Sequence, residues 1–327
     1  VSSPRGLRGG IDLGGTKIQT VVVAADGTPR GEARQPTPTE GGPADVTRAM
    51  EDALREAASA AGVEPEGLTG VGVGAPGDAD GETGVVSGAR NLPGWEGGFP
   101  LAKELSEALG TEVRIGNDVQ VAVEGEYALG AGKQHESLLG VWWGTGVGGG
   151  IILAGKPWLG RGAAGEIGHT VVKRNGARCP CERRGCLEAY AGRAAMEAKA
   201  RHEQSQGVET ELFQIMEKRG KDRLTSSVWE HALREGDALT ESLLRRAVRY
   251  LGTGIASAVN LLDVEAVVLG GGLGVRFGEH FMDHLREEMH KHLFIEDRPP
   301  QLRVAELGDL GGAIGASLLI EGRVTGS

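Results

Sequence analysis

No run of about 18 apolar residues occurs in the 327-residue chain, which excludes a membrane-spanning helix. Basic residues are in deficit. Thirty-five Lys and Arg stand against 45 Asp and Glu, a formal charge of −10. That balance argues against a nucleic-acid surface. Cysteine is scarce, with three residues. An odd number of thiols in one cluster fits a reducing cytoplasm. The opening stretch, Val1 to Gly10, has no apolar core and does not read as a secretory signal.

Glycine is what the chain has in excess, at 56 residues. Most lie in discrete turns between apolar runs and not in a repeat. That pattern suits a backbone that approaches ligands closely. With 39% hydrophobic and 24% charged residues the chain reads as a soluble globular protein. Its length predicts two domains.

Residues 7–23 read as strand, glycine turn and strand, followed by a turn at Ala25-Asp26-Gly27. Helical spacing runs from Ala44 to Ala61. A short buried strand follows at Val71 to Gly74. Leu101 to Leu109 is a helix. Val113 to Ile115 is a strand ending at Gly116-Asn117-Asp118, and a helix follows through Val121, Glu124 and Ala128. A second strand–turn–strand spans Ser137 to Leu153, with Gly144-Thr145-Gly146 at the turn. It echoes the opening and suggests two related halves facing each other across a cleft. Ala194 to Arg219 and Thr240 to Leu262 read as helices, Ala266 to Leu269 as a buried strand, and Gly311 to Leu319 as a small-residue helix.

All three cysteines, Cys179, Cys181 and Cys186, lie within residues 169–186 together with His169. Three thiolates and one imidazole complete a tetrahedral zinc set with no position open for water. Three scattered core thiols would be the plainer reading, and the clustering argues against it. Glu166 and Glu188 flank the loop, so a closed metal would brace two carboxylates around a polar ligand.

Asp12-Leu13-Gly14-Gly15-Thr16-Lys17 sits at a hairpin turn. Its glycines let backbone N–H groups face an anion. Asp12 suits a magnesium ion held through water, and Thr16 and Lys17 add donors. From this motif alone an ordinary glycine turn fits equally well. Gly144-Thr145-Gly146-Val147-Gly148-Gly149 matches the dinucleotide fingerprint, but strand follows it where that fingerprint needs a helix. It reads instead as a second phosphate-contacting hairpin. Asp118, between strand and helix, suits either a helix cap or a general base. A lone aspartate favours the cap; the two hairpins and the braced glutamates favour the base. Asn91 to Trp95 is a turn whose polar head and aromatic tail suit the border of a sugar. Trp142 and Trp143 read as packing.

Together, D-L-G-G-T-K at 12–17, N-L-P-G-W at 91–95, G-N-D at 116–118, G-T-G-V-G-G-G at 144–150, E-I-G-H at 166–169 and the cysteine loop resemble the ROK family of repressors, open reading frames and sugar kinases. Within that family they look like the bacterial glucokinases. The resemblance runs from about Gly10 to Leu319. It departs at Glu182, where the family usually has glycine after the second cysteine.

The resemblance implies an α/β, actin–hexokinase (ribonuclease H-like) fold of two α/β domains around a cleft. The expected small domain is 1–118, completed by a C-terminal helix at about 311–327. The large one is 119–310 and carries the zinc loop at 169–186. It implies ATP-dependent phosphorylation of glucose at its 6-hydroxyl, with Mg2+ and a structural zinc, in a cytoplasmic homodimer or homotetramer. Asp118 would be the catalytic base. Asn91, Asn117, Asp118, Glu166, His169 and Glu188 would surround the sugar. Asp12, Gly14, Gly15, Thr16, Lys17, Gly144, Thr145 and Gly146 would handle magnesium and phosphates, and Gly270, Gly271 and Gly272 would border the nucleotide. Mannose, fructose and N-acetylhexosamines are alternative substrates. Polyphosphate is an alternative donor, disfavoured because no dense basic run is visible. A sugar-sensing regulator is disfavoured too: eleven residues before Asp12 are too few for a helix-turn-helix domain.

Overall fold

The computed structural model describes residues 6–89 and 91–321. It divides into two compact units, one running to Lys133 and resuming at Glu306, the other spanning Gln134–Ala305.

The first unit contains β1 (Arg8–Leu13), β2 (Lys17–Val23), β3 (Pro29–Pro36), α1 (Pro43–Ala60), β4 (Val71–Ala75), a ribbon of β5 (Asp78–Asp80) and β6 (Val85–Ser87), α2 (Leu101–Leu109), β7 (Val113–Asn117) and α3 (Asp118–Leu129). Its main sheet has the order β3-β2-β1-β4-β7. The first three strands pair antiparallel, and β1, β4 and β7 run parallel.

The second unit contains β8 (Leu138–Trp143), β9 (Val147–Leu153), β10 (Lys156–Pro157), α4 (Glu188–Ala191), α5 (Arg193–Ser205), α6 (Leu212–Lys218), α7 (Ser226–Arg234), α8 (Ala238–Leu262), β11 (Ala266–Gly270), α9 (Gly271–His290) and β12 (Gln301–Val304). Its sheet order, β10-β9-β8-β11-β12, repeats that of the first unit strand for strand. The sequence echo between the two glycine hairpins therefore marks a duplicated topology. The chain then returns to the first unit through α10 (Gly311–Ser317).

The helices follow from apolar stripes. Val46, Met50, Ala53, Leu54 and Ala57 are fully buried along one face of α1. On the other face of the sheet, α10 lies against β1 and β4 at backbone distance. A Cβ on Gly10 would fall 1.9 Å from the Ala313 carbonyl oxygen, and one on Gly72 would fall 1.8 Å from that of Ala316. Overpacking a rigid contact of this kind typically costs about 1–3 kcal/mol. Gly72→Ala is therefore expected to lower the melting temperature by roughly 3–10 °C. A thermal melt indistinguishable from the parent would show that α10 yields freely.

Two expectations need correction, and one helix carried no expectation at all. The boundary expected at 118/119 falls at 133/134, and the chain re-enters the first unit at Glu306, ahead of the expected 311. The reason is packing. Val121 joins Ala316 and Leu319 in one apolar cluster, and a Cβ on Gly125 would lie 2.9 Å from the Gly315 Cα. The buried Glu126 carboxylate also accepts the N–H groups of Ala131, Glu306 and Leu307, at 2.9, 3.0 and 2.9 Å. The helix expected over 194–219 is two helices. Gly207 adopts φ +90°, and Asp237 accepts the Glu211 N–H at 2.7 Å as α6 begins. Finally, α9 follows Gly270 directly. Leu273, Phe277, Phe281, Leu285 and Met289 recur every fourth residue along its buried face, a signal masked by the opening glycines.

No helix among the described residues is long and apolar enough to cross a membrane.

Candidate active site and metal loop

In the first unit, the C-terminal ends of the parallel strands gather the polar residues, the usual place for ligands in such sheets. Asp12 pairs with Gly74 across β1–β4, and Ala75 pairs with Asn117 across β4–β7. Asp118 follows at the start of α3, where a Cβ on Gly74 would lie 3.3 Å from its Cα. The helix cap is Asn117. Its side-chain oxygen accepts the N–H groups of Val119 and Gln120, both at 3.1 Å. Asp118 accepts the Val119 N–H at 2.9 Å. The capping role that the sequence left open for Asp118 is thus taken by its neighbour.

The turn after β1 is closed by Gly14 N–H donating to the Lys17 carbonyl at 3.0 Å. Thr37 braces it, its hydroxyl donating to the Gly14 carbonyl at 2.6 Å. Asn91 lies over this turn, with Nδ2 2.8 Å from where a Gly15 Cβ would be. Trp95, four residues on, is buried at 1% exposure against Phe99, so the aromatic end of that turn is core and not a ligand border. Lys17 Nζ lies 3.9 Å from exposed Asp309.

Asp12 is half-exposed by surface, yet its carboxylate is pressed by α10: a Cβ on Gly312 would fall 2.7 Å from Oδ2. Burial, then the charges of Asp118 and Asp309, push its pKa up from 3.8 to about 7, opposed by Lys17. Between these values the folded chain holds a proton that the unfolded chain has lost. Stability therefore falls as pH rises from about 4 to about 7. Asp12→Asn is expected to melt above the parent at pH 8, by about 1–2 kcal/mol after allowance for solvent screening. The difference should vanish below about pH 4. Melting curves across this range check the sign. The two neighbouring carboxylates, Asp12 and Asp118, are hard oxygen donors of the kind magnesium accepts.

In the second unit, the turn after β8 is closed by Gly144 N–H donating to the Gly146 carbonyl at 3.0 Å. The first two N–H groups of α5 dock on it: Arg193 N–H donates to the Gly144 carbonyl at 3.0 Å and Ala194 N–H to that of Thr145 at 3.1 Å. The start of α9 comes alongside, with Gly272 N 4.0 Å from where a Gly144 Cβ would be. Gly271 has φ +77°, and a Cβ there would fall 2.7 Å from the Trp143 carbonyl oxygen. Gly144, Thr145 and Gly146 thus lie beside Gly270 to Gly272. Trp142 packs its ring on Gly270, and Trp143 Nε1 donates to the Ala191 carbonyl at 2.7 Å; both are packing residues.

The metal loop is built on the same unit. One ligand atom from each of His169, Cys179, Cys181 and Cys186 lies within 4.8 Å of the others. His169 Nδ1 is 3.7 Å from Cys179 Sγ, and Cys181 Sγ is 3.7 Å from Cys186 Sγ. A tetrahedron with arms of about 2.3 Å has edges of about 3.8 Å. The donor set is therefore compatible with a structural zinc. With Nδ1 turned to the sulfurs, the far ring nitrogen faces Glu166, Nε2 to Oε2 at 3.8 Å. Glu188 ties the loop to the hairpin: Oε2 accepts the Val147 N–H at 3.0 Å and Oε1 lies 3.9 Å from Cys179 Sγ. Glu182 stands at φ +70°, a left-handed conformation. The loop keeps the shape a glycine would favour, at a cost of about 1–2 kcal/mol. Tyr190 supports the loop from below, accepting the Ala177 N–H at 2.6 Å and stacking on Tyr250.

Residues 8–323 match the ROK family. The chain belongs to the ROK family.

Among its relatives, the glucokinase of Thermotoga maritima is 32% identical over 319 residues, 97% of this chain and 98% of the relative. An N-acetyl-D-glucosamine kinase of Citrobacter koseri is 31% identical, over 95% and 98% of the two chains. A solved ROK family glucokinase from Streptomyces griseus, in complex with glucose and AMPPNP, superposes with a TM-score of 0.81 at 31% identity, covering 96% of this chain and 99% of its own. This ROK protein has the actin–hexokinase fold. One residue at the second hairpin escaped sequence reading, Arg193. It carries no motif of its own and meets Thr145 only through tertiary structure.

Proposed function

We propose that this ROK protein is an ATP-dependent sugar kinase that phosphorylates glucose at its 6-hydroxyl. The observation that carries the reading is Asp118. Its carboxylate sits at the end of β7 next to Asp12 while Asn117 takes the capping duty, in a chain 32% identical to a glucokinase. The net charge of −10 and the absence of a dense basic run favour ATP over polyphosphate.

In this reading Asp118 accepts the proton of the 6-hydroxyl as its oxygen attacks the γ-phosphorus. The new O–P bond forms, the bond to the β-phosphate oxygen breaks, and ADP leaves with the electron pair. Positioning and charge neutralisation supply most of the acceleration. The backbone N–H groups of Gly15 and Thr16 and of Thr145 and Gly146 would donate to the phosphates, and residues 270–272 would border the nucleotide. Magnesium, when bound near Asp12, supplies positive charge to the phosphates. Asn91, Asn117, Glu166, His169 and Glu188 pair with sugar hydroxyls. Cys179, Cys181, Cys186 and His169 Nδ1 would hold zinc, which stiffens the loop that presents those groups.

A second reading, an N-acetylhexosamine kinase, is favoured by the 31% identity to an N-acetyl-D-glucosamine kinase. A coupled assay of the purified protein with ATP, magnesium and a hexose panel separates the two. The highest kcat/KM is expected for glucose. A higher value for N-acetylglucosamine would establish the second reading, and no turnover with any hexose would overturn both.

A further inference from the structure

The turn at 144–146 carries an interaction that the backbone alone does not explain. Arg193 Nη2 donates to the Thr145 hydroxyl oxygen at 2.7 Å, and Nη1 donates to the Leu224 carbonyl at 2.8 Å. The guanidinium is therefore gripped at two points, and its backbone N–H is already committed to Gly144. Arginine has donors and no acceptor, so Thr145 must accept in this pair. Its own hydroxyl proton is then turned away from Arg193. Thr145 is exposed at the hairpin tip, beside the start of α9.

We propose that Arg193 is a positioning residue for the phosphoryl donor: it acts through Thr145, orienting and polarising that hydroxyl so that it donates to a phosphate oxygen of the nucleotide. This inference rests on the kinase reading above. A threonine held by a charged donor on its oxygen is a stronger donor through its hydrogen, because hydrogen bonds in a chain polarise one another. The pre-set orientation also removes the rotor freedom a free hydroxyl would lose on binding.

The test is a mutant cycle of Arg193→Ala, Thr145→Ala and the double variant in the full-length protein, with KM for ATP and for sugar measured separately. A lost hydrogen bond to a charged partner corresponds to about tenfold or more. Arg193→Ala is expected to raise KM for ATP by about tenfold while KM for sugar holds within about twofold. Thr145→Ala should do the same, and the double variant should be no worse than either single change. Arg193→Lys, which keeps one charged donor, should recover part of the loss. Additive effects in the double variant would overturn the relay, because Arg193 would then act independently of Thr145. So would equal increases in both KM values, the signature of a loosened hairpin. If the parent protein turns over no hexose with ATP, the kinase reading itself fails, which is a separate outcome.

Discussion

Asp118→Asn is expected to lower kcat for sugar phosphorylation by about 10²–10⁴-fold, the usual cost of removing a general base. The amide keeps the shape of the carboxylate but cannot take the proton. The fold should survive the change. The α3 cap belongs to Asn117, whose oxygen holds two N–H groups, and an asparagine oxygen at 118 can still accept the Val119 N–H. Sugar binding should survive better than turnover, because the amide still hydrogen-bonds. The measurement is kcat with KM for sugar alongside a melting curve. A kcat near that of the parent would remove Asp118 from the chemistry. A collapse in stability would mean its role is architectural.

Cys181→Ser is expected to abolish stoichiometric zinc and to raise KM for sugar by roughly 10–100-fold, the cost typical of disturbing a metal-supported shell. The reason lies in how the loop is built. His169 turns Nδ1 to the sulfurs and its other edge to Glu166, and Glu188 lies against Cys179. Loosening the metal therefore frees three polar groups at once. KM for ATP should change less, because the hairpin at 144–146 is also held by α5 through Arg193 and Ala194. Glu188→Gln separates the two duties. Its carbonyl oxygen can still accept the Val147 N–H, so zinc should stay while KM for sugar rises. Metal content by atomic absorption or mass spectrometry and the two KM values decide the matter. A purified parent protein without stoichiometric zinc, or a Cys181→Ser variant with unchanged KM for sugar, would detach the metal from the substrate site.

What could be read from the chain alone was local. Both glycine hairpins, the helix at Leu101–Leu109, the strand ends at Asp12 and Asn117, and the four metal-loop residues stand where residue type and spacing put them. Turn chemistry, apolar period and ligand chemistry act over a few residues, so they leave their mark in a short window. The remaining features depend on partners far away in sequence. Helix α3 joins the first unit because Val121 and Gly125 meet α10 almost 200 residues on, a contact that local periodicity cannot register. The 194–219 segment breaks where Asp237 reaches back to Glu211, 26 residues away. Whether Asp118 or Asn117 caps α3 turned on side-chain direction, and Asn117 also reaches Gly77, 40 residues earlier. The pairing of Arg193 with Thr145 spans 48 residues. Sequence determines which short segments can fold and which groups they carry. Only the packing of distant segments decides which of those groups meet, because a buried polar group takes whichever partner the assembled backbone brings within reach.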